Sequence, residues 1–478
     1  MLKNKATIVM FFFMLVFGLG QFFWGEIISA NGGRGWDGRG YAQVALDFHK
    51  VVIVDKLTDY FAQRFVPSAI IHYTLKSFTP TISNELLIKA FSIYNLVLLL
   101  ICVLLWGAIA RELKLSVKGQ WIGFIGLFIN FAVLKFYFYY PILTDVSAFC
   151  LTLAIVYMYL VDKPFGLLSL TLIGAFTWPA LLPIGLILFV FPKHIQEPAS
   201  LNKIFRWLIS FVFAGLVLAC VIYVNFIKTY PENEGMYPFL PARNLSIAIL
   251  ILYAFGAMYV FCNNRFLYSP GYISKNIRFE RLILAAVIYL LFLFTIESLS
   301  AYKTGLFGLS IRNLFYYGIK IPFVFAIGQI MWHGPTVILI FLYWKKFVDV
   351  IHHYGLGLVL VVFMGLMFSF SSEARHSTAF FPVFVIFLVK ALDELNWQKM
   401  DIGILGGISL FYSKAWMKLN ADFPDNLTRE MTLEFPWQRY FMHHALYMNY
   451  QMYLLQGVFI IAAFVAFYFI FKRRLVAV

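Results

Sequence analysis

The chain has 478 residues, of which 62% are hydrophobic and 13% are charged, and its mean hydropathy is +0.81. Soluble domains contain about 25% charged residues, so this composition excludes a water-soluble fold. The formal net charge is +15. Because the basic residues lie mainly in short loops between apolar segments, we attribute this charge to membrane topology and anionic lipids, and we expect no nucleic-acid partner.

About 14 hydrophobic segments follow one another along the chain, and each is predicted to be a helix. They lie near residues 6–25, 86–110, 120–136, 143–161, 164–178, 179–192, 206–227, 244–262, 281–299, 335–350, 356–370, 378–392, 402–418 and 452–471. The first has a basic start but is longer than a signal-peptide core and lacks a clean cleavage site, which predicts a retained anchor helix. Pro179 predicts a break between two segments.

The loops between these segments differ in charge on the two sides of the membrane. One set is basic and contains Arg111, Lys114, Lys118, Lys193, Lys203, Arg206, Arg265, Lys275, Arg278, Arg281, Lys345, Lys346, Lys472, Arg473 and Arg474. The opposite set contains 11 of the 23 Asp and Glu residues, namely Asp37, Asp47, Asp55, Asp59, Glu232, Glu234, Glu373, Asp422, Asp425, Glu430 and Glu434. This asymmetry predicts that both termini lie in the cytoplasm.

The long loops fall on the outer side, at residues 26–85, 228–243, 300–334 and 419–451. Loops of this length are usually functional or contain helices of their own. Residues 55–73 and 309–332 mix aromatic, basic and apolar residues, which predicts amphipathic helices on the outer leaflet. We recognise no internal repeat and no separate soluble domain. The predicted fold class is therefore an all-α polytopic membrane protein in which residues 1–478 form a single transmembrane domain.

The most informative motif follows the first segment, in the sequence Gly35-Trp36-Asp37-Gly38-Arg39-Gly40-Tyr41. Ionisable groups next to a bilayer are costly and are therefore functional candidates. Asp37 is a candidate general base or metal ligand, and Arg39, like Arg34, is a candidate phosphate contact. Trp36 and Tyr41 are candidates for stacking on a sugar ring. The alternative is a tight Asp-Gly turn with two interfacial aromatic anchors.

A second motif, Tyr139-Tyr140-Pro141-Ile142-Leu143-Thr144-Asp145, lies at the outer entrance of a predicted span. Asp145 either caps its helix or lies beside Asp37, where it would bind a metal or the acceptor. Tyr140 is a further candidate for sugar stacking. The alternative for its ring is the ordinary aromatic belt at the membrane interface.

A third motif crowds Glu373, Arg375 and His376 into a short outer turn between two apolar segments. Functionally, Arg375 would bind the phosphate of a lipid carrier while Glu373 orients it. The alternative is that the acid and arginine solvate the turn and the histidine snorkels. Arg64 and His333 are weaker candidates, for a phosphate contact and a ligand contact respectively, and both also suit interfacial structural roles.

Together these motifs resemble the GT-C superfamily of membrane glycosyltransferases. The loop Trp36-Asp37-Gly38-Arg39-Gly40-Tyr41-Ala42-Gln43-Val44-Ala45 is similar to the WDGxxYxxIA loop of bacterial members and to the first loop of the glycosylphosphatidylinositol mannosyltransferases. Thr144-Asp145 fits the second acidic site of that superfamily. Glu373-Ala374-Arg375-His376 with Pro382 resembles the E-x-R-[FYH]…P motif of dolichol-phosphate-mannose users.

The chain also departs from the superfamily in two respects. Asp37 stands alone where several families have an acidic pair, which leaves the metal requirement open. No large soluble C-terminal domain follows the last predicted span, which argues against an oligosaccharyltransferase.

The resemblance implies a GT-C-like bundle of about 12–14 transmembrane helices. It also implies inverting transfer of a sugar from a polyprenyl-phosphate donor to a lipid, glycan or protein acceptor on the extracytoplasmic face. Asp37 and Asp145 would be the catalytic residues and would hold any divalent cation, Mg²⁺ or Mn²⁺. The predicted donor-phosphate residues are Arg375, Glu373, His376, Arg39 and Arg64, and the predicted substrate-binding residues are Trp36, Tyr41, Tyr140 and His333.

Other functions stay open at this point. A transporter or flippase of a lipid-linked saccharide would need midplane charges and inverted repeats. An O-antigen-type polymerase or ligase would need a late, arginine-rich outer loop, and residues 419–451 contain only Arg429 and Arg439. A non-catalytic membrane scaffold is the third alternative. The high phenylalanine content and the absence of a targeting signal favour the bacterial inner membrane, and the endoplasmic reticulum membrane is the alternative. Membrane lipids are expected partners, and the need for a partner membrane subunit stays open.

Overall fold

The computed structural model describes residues 5–195, 201–227, 240–263, 273–274, 276–302, 314–371, 373–421 and 448–475. The chain is all-α and about 76% helical. The earlier α-helices are α1 (Lys5–Trp24), α2 (Gly38–Leu46), α3 (Asp59–Ala62), α4 (Val66–Lys76), α5 (Asn84–Glu112), α6 (Val117–Phe128), α7 (Tyr137–Tyr139), α8 (Asp145–Leu160), α9 (Pro164–Ala175) and α10 (Leu181–Val190). The later ones are α11 (Lys203–Ile222), α12 (Arg243–Phe261), α13 (Phe279–Leu299), α14 (Val324–His333), α15 (Thr336–Leu342), α16 (Trp344–Tyr354), α17 (Leu356–Phe368), α18 (Phe381–Leu392), α19 (Lys399–Tyr412) and α20 (Tyr450–Leu475).

Short elements of other kinds join these helices. The π-helical segments are His49–Val54, Ala132–Phe136 and Tyr223–Ile227, and the 3₁₀ turns are Leu240–Ala242, Tyr317–Ile319 and Ala374–Ser377. Two short parallel strands, β1 (Leu57–Thr58) and β2 (Ser300–Tyr302), pair Leu57 with Ser300 and Thr58 with Tyr302.

Six helices among the described residues are long and apolar enough to cross a membrane. They are Lys5–Trp24, Asn84–Glu112, Lys203–Phe226, Arg243–Phe261, Phe279–Leu299 and Tyr450–Ile470. The pair Val117–Phe128 and Ala132–Tyr139, bent by 55°, would make a seventh. In α13, for example, only 6% of the most apolar stretch is buried. Apolar surface on this scale is stable in lipid and not in water, and the long apolar helices indicate a multi-pass membrane protein.

The hydrophobic segments anticipated from the sequence all coincide with helices, but two of them are divided. Residues 120–136 form α6 and the π-helical segment Ala132–Phe136, with a break between them. Residues 335–350, predicted as one span, form α15 and α16 with a break at Tyr343. The second half contains Lys345, Lys346 and Asp349, so it buries one face and leaves the other polar. The predicted break at Pro179 is confirmed, because α9 ends before this proline and α10 begins after it.

The chain forms two compact units. Unit 1 comprises Met1–Val190, Phe279–Leu306 and Ser413–Phe441, and unit 2 comprises Phe191–Arg278, Phe307–Tyr412 and Met442–Val478. The expectation of a single domain stays a prediction.

In unit 1, α5 packs against α1 and α8, and α8 and α10 pack against α9. Small residues allow these helices to approach closely, as is usual for helices in membranes. A Cβ atom placed on Gly107 of α5 would lie 2.7 Å from the Thr7 hydroxyl oxygen of α1. Similarly, a Cβ on Gly185 of α10 would overlap Thr171 of α9. A smaller apolar cluster, formed by Val44, Val52, Leu57, Ala62 and Ile296, supports the first loop.

In unit 2, α11 packs along α12, and α16 packs against α12, α17 and α18. The guanidinium of Arg206 on α11 lies 4.1 Å from the ring centroid of Tyr259 on α12, and its Nη2 donates to the Tyr259 carbonyl at 2.8 Å. Helix α14 is buried along nearly its whole length. It therefore packs inside unit 2, whereas the sequence of residues 309–332 suggested a helix lying on the membrane surface. Residues 309–313 of that stretch lie outside the described residues.

Candidate functional site

The glycine-rich loop of unit 1 is held in one conformation by its own polar groups. The backbone turns through positive φ angles at Gly33 (88°) and Gly35 (56°), which glycine adopts without strain. The Asn31 side-chain amide donates to the Gly35 carbonyl at 2.6 Å. Arg34 Nε donates to Asn84 Oδ1 at 2.6 Å, at the start of α5. Arg34 therefore fixes the loop to α5, and this contact supports its structural role.

Tyr140 joins the first and second sequence motifs. Its hydroxyl oxygen accepts the backbone N–H of Gly38 at 2.9 Å. Its ring lies against Gly35, where a Cβ atom would be 2.3 Å from the ring. Ile142 lies 3.5 Å from the Cβ position of Gly38. The segment leading to Asp145 thus packs directly on the loop that carries Asp37, as expected if the two acidic motifs share a site.

Asp37 is the N-terminal flanking residue of α2, but its side chain makes no capping hydrogen bond to that helix. Instead, the hydroxyl of Tyr60 donates to Asp37 Oδ2 at 3.3 Å. The backbone still turns here, since Gly40 N–H donates to the Asp37 carbonyl at 3.1 Å. The turn expected under the structural alternative is present, and the carboxylate of Asp37 is directed to Tyr60 and not to the helix end.

The guanidinium of Arg64 packs on the ring of Tyr60. Its Cζ is 3.8 Å from the centroid of the Tyr60 ring and 5.3 Å from that of Trp178, and its Nη1 donates to the Tyr60 carbonyl at 3.1 Å. The residue is only 7% exposed. Among the described residues, its buried Nε has no hydrogen-bond partner. Tyr60 therefore links a buried guanidinium to the Asp37 carboxylate, a contact that the sequence did not reveal.

The other predicted residues of unit 1 differ in exposure. Arg39 is exposed and Trp36 is half-buried. Tyr41 is buried, with its ring edge-on to Phe61 at a centroid distance of 5.2 Å. Asp145 is 1% exposed and lies in the first turn of α8, where the helix dipole stabilises a negative charge. The roles predicted for these residues stay predictions.

A second polar cluster in unit 1 was missed in the sequence. Lys135 Nζ forms an ion pair with Glu26 Oε1 at 2.9 Å, with the lysine side chain 6% exposed and the glutamate side chain 18% exposed. The Glu26 carboxylate also accepts the backbone N–H groups of Leu419 and Asn420. A lone lysine in the apolar run 120–136 must find a counter-charge, and this is the signal that could have indicated the pair.

Asn420 extends this cluster to the neighbouring motif. Its side-chain amide donates to the Ile27 carbonyl at 2.6 Å, and its Oδ1 accepts the Tyr139 hydroxyl at 2.6 Å. Tyr139 precedes Tyr140, which holds Gly38. The first residues of the late loop 419–451 are thus fixed to the base of the first loop. Residues 422–447 lie outside the described residues.

In unit 2, the third motif forms a compact turn. His376 Nε2 lies 3.6 Å from Glu373 Oε2, and both side chains are largely buried. The Glu373 backbone N–H donates to Ser371 Oγ at 3.1 Å. Arg375 is half-buried in the same turn. The acid, the arginine and the histidine are therefore held together, as the spacing suggested.

His333, the last residue of α14, contacts this turn through its imidazole ring. Its Nε2 lies 3.0 Å from Ser377 Oγ and 3.3 Å from the Ala374 carbonyl, and its ring stacks on Phe381 at 4.0 Å. Gln329 completes the network, since its Oε1 accepts from Ser377 Oγ at 2.7 Å. Burial lowers the pKa of His333 to about 3, although the Ala374 carbonyl opposes this shift. The imidazole is therefore neutral and packs as part of the turn.

The predicted site residues are divided between the units. Unit 1 contains Asp37, Asp145, Arg39, Arg64, Trp36, Tyr41 and Tyr140, and unit 2 contains Glu373, Arg375, His376 and His333. No group of three or more His, Cys, Asp or Glu side chains suited to a metal occurs in the described part of the chain. Mg²⁺ often uses only one or two carboxylates together with substrate phosphates. Asp37 and Asp145 therefore stay candidate ligands, and a divalent cation stays a prediction.

No protein-family model, curated protein or solved structure matches this chain. The resemblance to GT-C glycosyltransferases therefore rests on the short motifs alone.

Proposed function

We propose that the protein is a membrane glycosyltransferase of the GT-C type, which moves a sugar from a polyprenyl-phosphate donor to a lipid, glycan or protein acceptor. One observation carries the proposal: the hydroxyl of Tyr140 holds Gly38, so the segments that bear Asp37 and Asp145 pack on each other. Two acidic motifs that are 108 positions apart in the chain are joined in this way. An arrangement that served only to cap two helices would not need this contact.

In this reaction Asp37 is the general base. Its carboxylate takes the proton of the acceptor hydroxyl as the acceptor oxygen bonds to the anomeric carbon. The bond from that carbon to the donor phosphate oxygen breaks, and the phosphate leaves with the electron pair. A single displacement of this kind inverts the anomeric configuration. The hydroxyl of Tyr60 orients the Asp37 carboxylate at 3.3 Å.

The cationic residues bind the leaving phosphate in this proposal. Arg64 offers a buried guanidinium whose Nε has no partner among the described residues, and Arg39 is exposed in the same loop. Arg375 of unit 2 stays a predicted phosphate contact, in a turn that Glu373 and His376 fix. A divalent cation, if bound by Asp37 and Asp145, would supply further neutralisation of phosphate charge.

The proposed topology follows the charge of the loops. In the described part of the chain, six long helices, one bent pair and the five shorter apolar helices α8, α9, α10, α17 and α18 give twelve apolar elements, within the range of about 12–14 expected for this type of bundle. Both termini are cytoplasmic, and Asp37 faces the outside of the bacterial inner membrane. The amphipathic helices of the outer loops include α4.

A transporter or flippase of a lipid-linked saccharide is the second candidate, and one observation favours it. The bent pair Val117–Phe128 and Ala132–Tyr139 contains the buried Lys135. Transporters place ionisable residues at breaks in their helices. The lysine is already paired with Glu26, which favours a structural role and leaves the transporter as the weaker candidate.

The deciding experiment compares the purified wild type with Asp37→Asn and Asp47→Asn. Radiolabelled polyprenyl-phosphate sugars are supplied with a membrane lipid extract as acceptor. We expect transfer by the wild type and a loss of about 10²- to 10⁴-fold in Asp37→Asn, the range for general-base catalysis. Asp47 is an exposed acid in the same loop, so Asp47→Asn is a matched control that retains activity.

Equal transfer by the wild type and a folded Asp37→Asn would remove Asp37 from the mechanism. If the wild type moves labelled donor across proteoliposome membranes and forms no new glycosidic bond, the transporter is correct.

A further inference from the structure

Unit 2 encloses a cavity of about 280 Å³ whose walls come from α12, α14, α15, α17 and α18. Aromatic and aliphatic side chains form most of the wall, for example Phe325, Phe341, Phe380 and Leu366. An apolar cavity of about 150 Å³ accommodates a six-carbon ring. The volume in unit 2 is therefore sufficient for roughly a dozen carbon atoms.

One end of this cavity is polar but carries no charge. Gln329, His333 and Ser377, which are hydrogen-bonded to one another, line it beneath the Glu373–His376 turn. Further along, the Tyr253 and Ser369 hydroxyls lie 3.0 Å apart. No Asp, Glu, Lys or Arg is among the lining residues, all of which lie in the described part of the chain. Because His333 is neutral, a phosphate or carboxylate would find no counter-charge inside.

The cavity opens on the face of α12, which is one of the candidate membrane spans. Leu252 and Gly256, one turn apart, line the cavity and are both exposed. A Cβ atom built on Gly256 meets no other atom within 4 Å. Both residues lie near the middle of Arg243–Phe261, so the opening is at the depth of hydrocarbon and not of lipid headgroups.

We propose that this cavity binds one hydrocarbon chain of a membrane lipid, which enters from the bilayer beside Leu252 and Gly256. The apolar wall, the uncharged inner end and the opening on a candidate membrane span all match a chain, and none of them matches a charged headgroup. Gln329 Oε1 accepts from Ser377 Oγ at 2.7 Å and Gln329 Nε2 donates to the Ser371 carbonyl at 3.3 Å, so both side chains have hydrogen-bond partners and tolerate an apolar neighbour. The inference does not depend on the glycosyl-transfer proposal.

The test uses phosphatidylcholine vesicles in which one acyl chain carries a photoreactive diazirine. After irradiation, labelled peptides are mapped by mass spectrometry. We expect adducts on cavity residues of α12 and α15, including Leu252 and Phe341. In Gly256→Phe the new ring fills the opening, and we expect these adducts to fall at least fivefold. Gly215→Phe is the matched control, since a Cβ on Gly215 of α11 also meets nothing within 4 Å and Gly215 does not line the cavity.

Retention of the cavity adducts in Gly256→Phe at the wild-type level, or their absence from the wild type, would overturn the inference. Size-exclusion profiles and circular dichroism of both variants exclude misfolding as the cause of a loss. Unlabelled polyprenyl phosphate added as a competitor identifies the source of the chain. Displacement of the cavity adducts supports a chain from the proposed donor, and persistence supports a bound bilayer phospholipid.

Discussion

Tyr60 makes two contacts of different kinds, a hydrogen bond from its hydroxyl to Asp37 and a ring contact with the Arg64 guanidinium. Tyr60→Phe removes the first and keeps the second. A hydrogen bond to a charged group contributes about 1.5–3 kcal/mol, so we expect the transfer rate to fall about 10- to 100-fold with little change in Tm. Initial rates with saturating donor measure this effect.

The control for this variant is Tyr73→Phe, at an exposed tyrosine on α4. It should transfer sugar at the wild-type rate. If Tyr60→Phe also retains the full rate while Asp37→Asn is inactive, then Tyr60 does not orient the base. Tyr60→Ala removes both contacts and should lower both the rate and Tm.

His333 predicts a specific dependence of stability on pH. Its pKa is about 3 in the folded protein, below the ordinary value of 6.5. Between these two values the unfolded chain binds a proton that the folded protein excludes, so the free energy of unfolding falls as the pH decreases from 6.5 towards 3. The slope is up to about 1.4 kcal/mol per pH unit. We expect His333→Gln to show a shallower decrease than the wild type between pH 7 and pH 4.5.

Thermal unfolding followed by tryptophan fluorescence across this pH range is the measurement. His49→Gln, a change at an exposed histidine, serves as the control and should follow the wild type. Identical slopes for His333→Gln and the wild type would show that protonation of His333 is not linked to unfolding.

Several candidate site residues could be selected from the sequence because they are charged residues in an apolar chain. Asp37, Asp145 and the Glu373–His376 turn all belong to this class. Tyr60 could not be found in this way, since tyrosine is common near membrane interfaces and its partners become visible only in three dimensions. Glu26 was missed for a related reason, because its counter-charge is 109 positions away.

At the scale of elements, the Glu26–Lys135 pair joins the end of α1 to the π-helical segment Ala132–Phe136. We expect Glu26→Gln or Lys135→Met alone to cost about 3 kcal/mol, since each leaves a buried charge uncompensated. The double variant should cost less than the sum of the two. A double-mutant cycle on chemical unfolding in detergent measures this coupling.

The exposed pair Glu85–Lys89 on α5 provides the matched control for this cycle, because its side chains are 78% and 58% exposed. Its single variants should leave the unfolding midpoint unchanged. Additive effects of Glu26→Gln and Lys135→Met would show that the pair contributes no coupling and that Glu26 acts through the backbone groups of Leu419 and Asn420.

The positions of the helices were predictable because hydrophobic length alone specifies an apolar helix in a membrane protein. Hydrophobic length does not specify which other helices each helix packs against. Residues 335–350 break at Tyr343 because the second half, α16, buries one face against its neighbours and keeps a charged face. Helix α14 is buried by the elements around it, and nothing in its own composition distinguishes this position from the membrane surface.

The basic loops predict the direction in which the chain inserts into the membrane. In a variant with Cys102, Cys150, Cys220 and Cys262 replaced by alanine, single cysteines are placed at two exposed positions. We expect Asp55→Cys to react with a membrane-impermeant maleimide in intact cells. Lys118→Cys should react only after permeabilisation, and both variants should accumulate to the same level.

The reverse pattern of labelling would place Asp37 on the cytoplasmic side. The donor sugar would then have to be presented there, which is contrary to the proposed orientation.

Helix α5 has 29 residues and is therefore about 44 Å long, whereas the hydrocarbon layer is about 30 Å thick. Its first residue, Asn84, is hydrogen-bonded to Gly32 and Arg34 of the glycine-rich loop. We therefore expect the helix to extend several ångströms beyond the hydrocarbon and to support the loop there, where the charges of Asp37 and Arg39 would incur little desolvation cost. In a thicker bilayer, α5 would tilt less and a smaller part of it would extend beyond the hydrocarbon. Lipid chain length should therefore determine how far this loop stands in water.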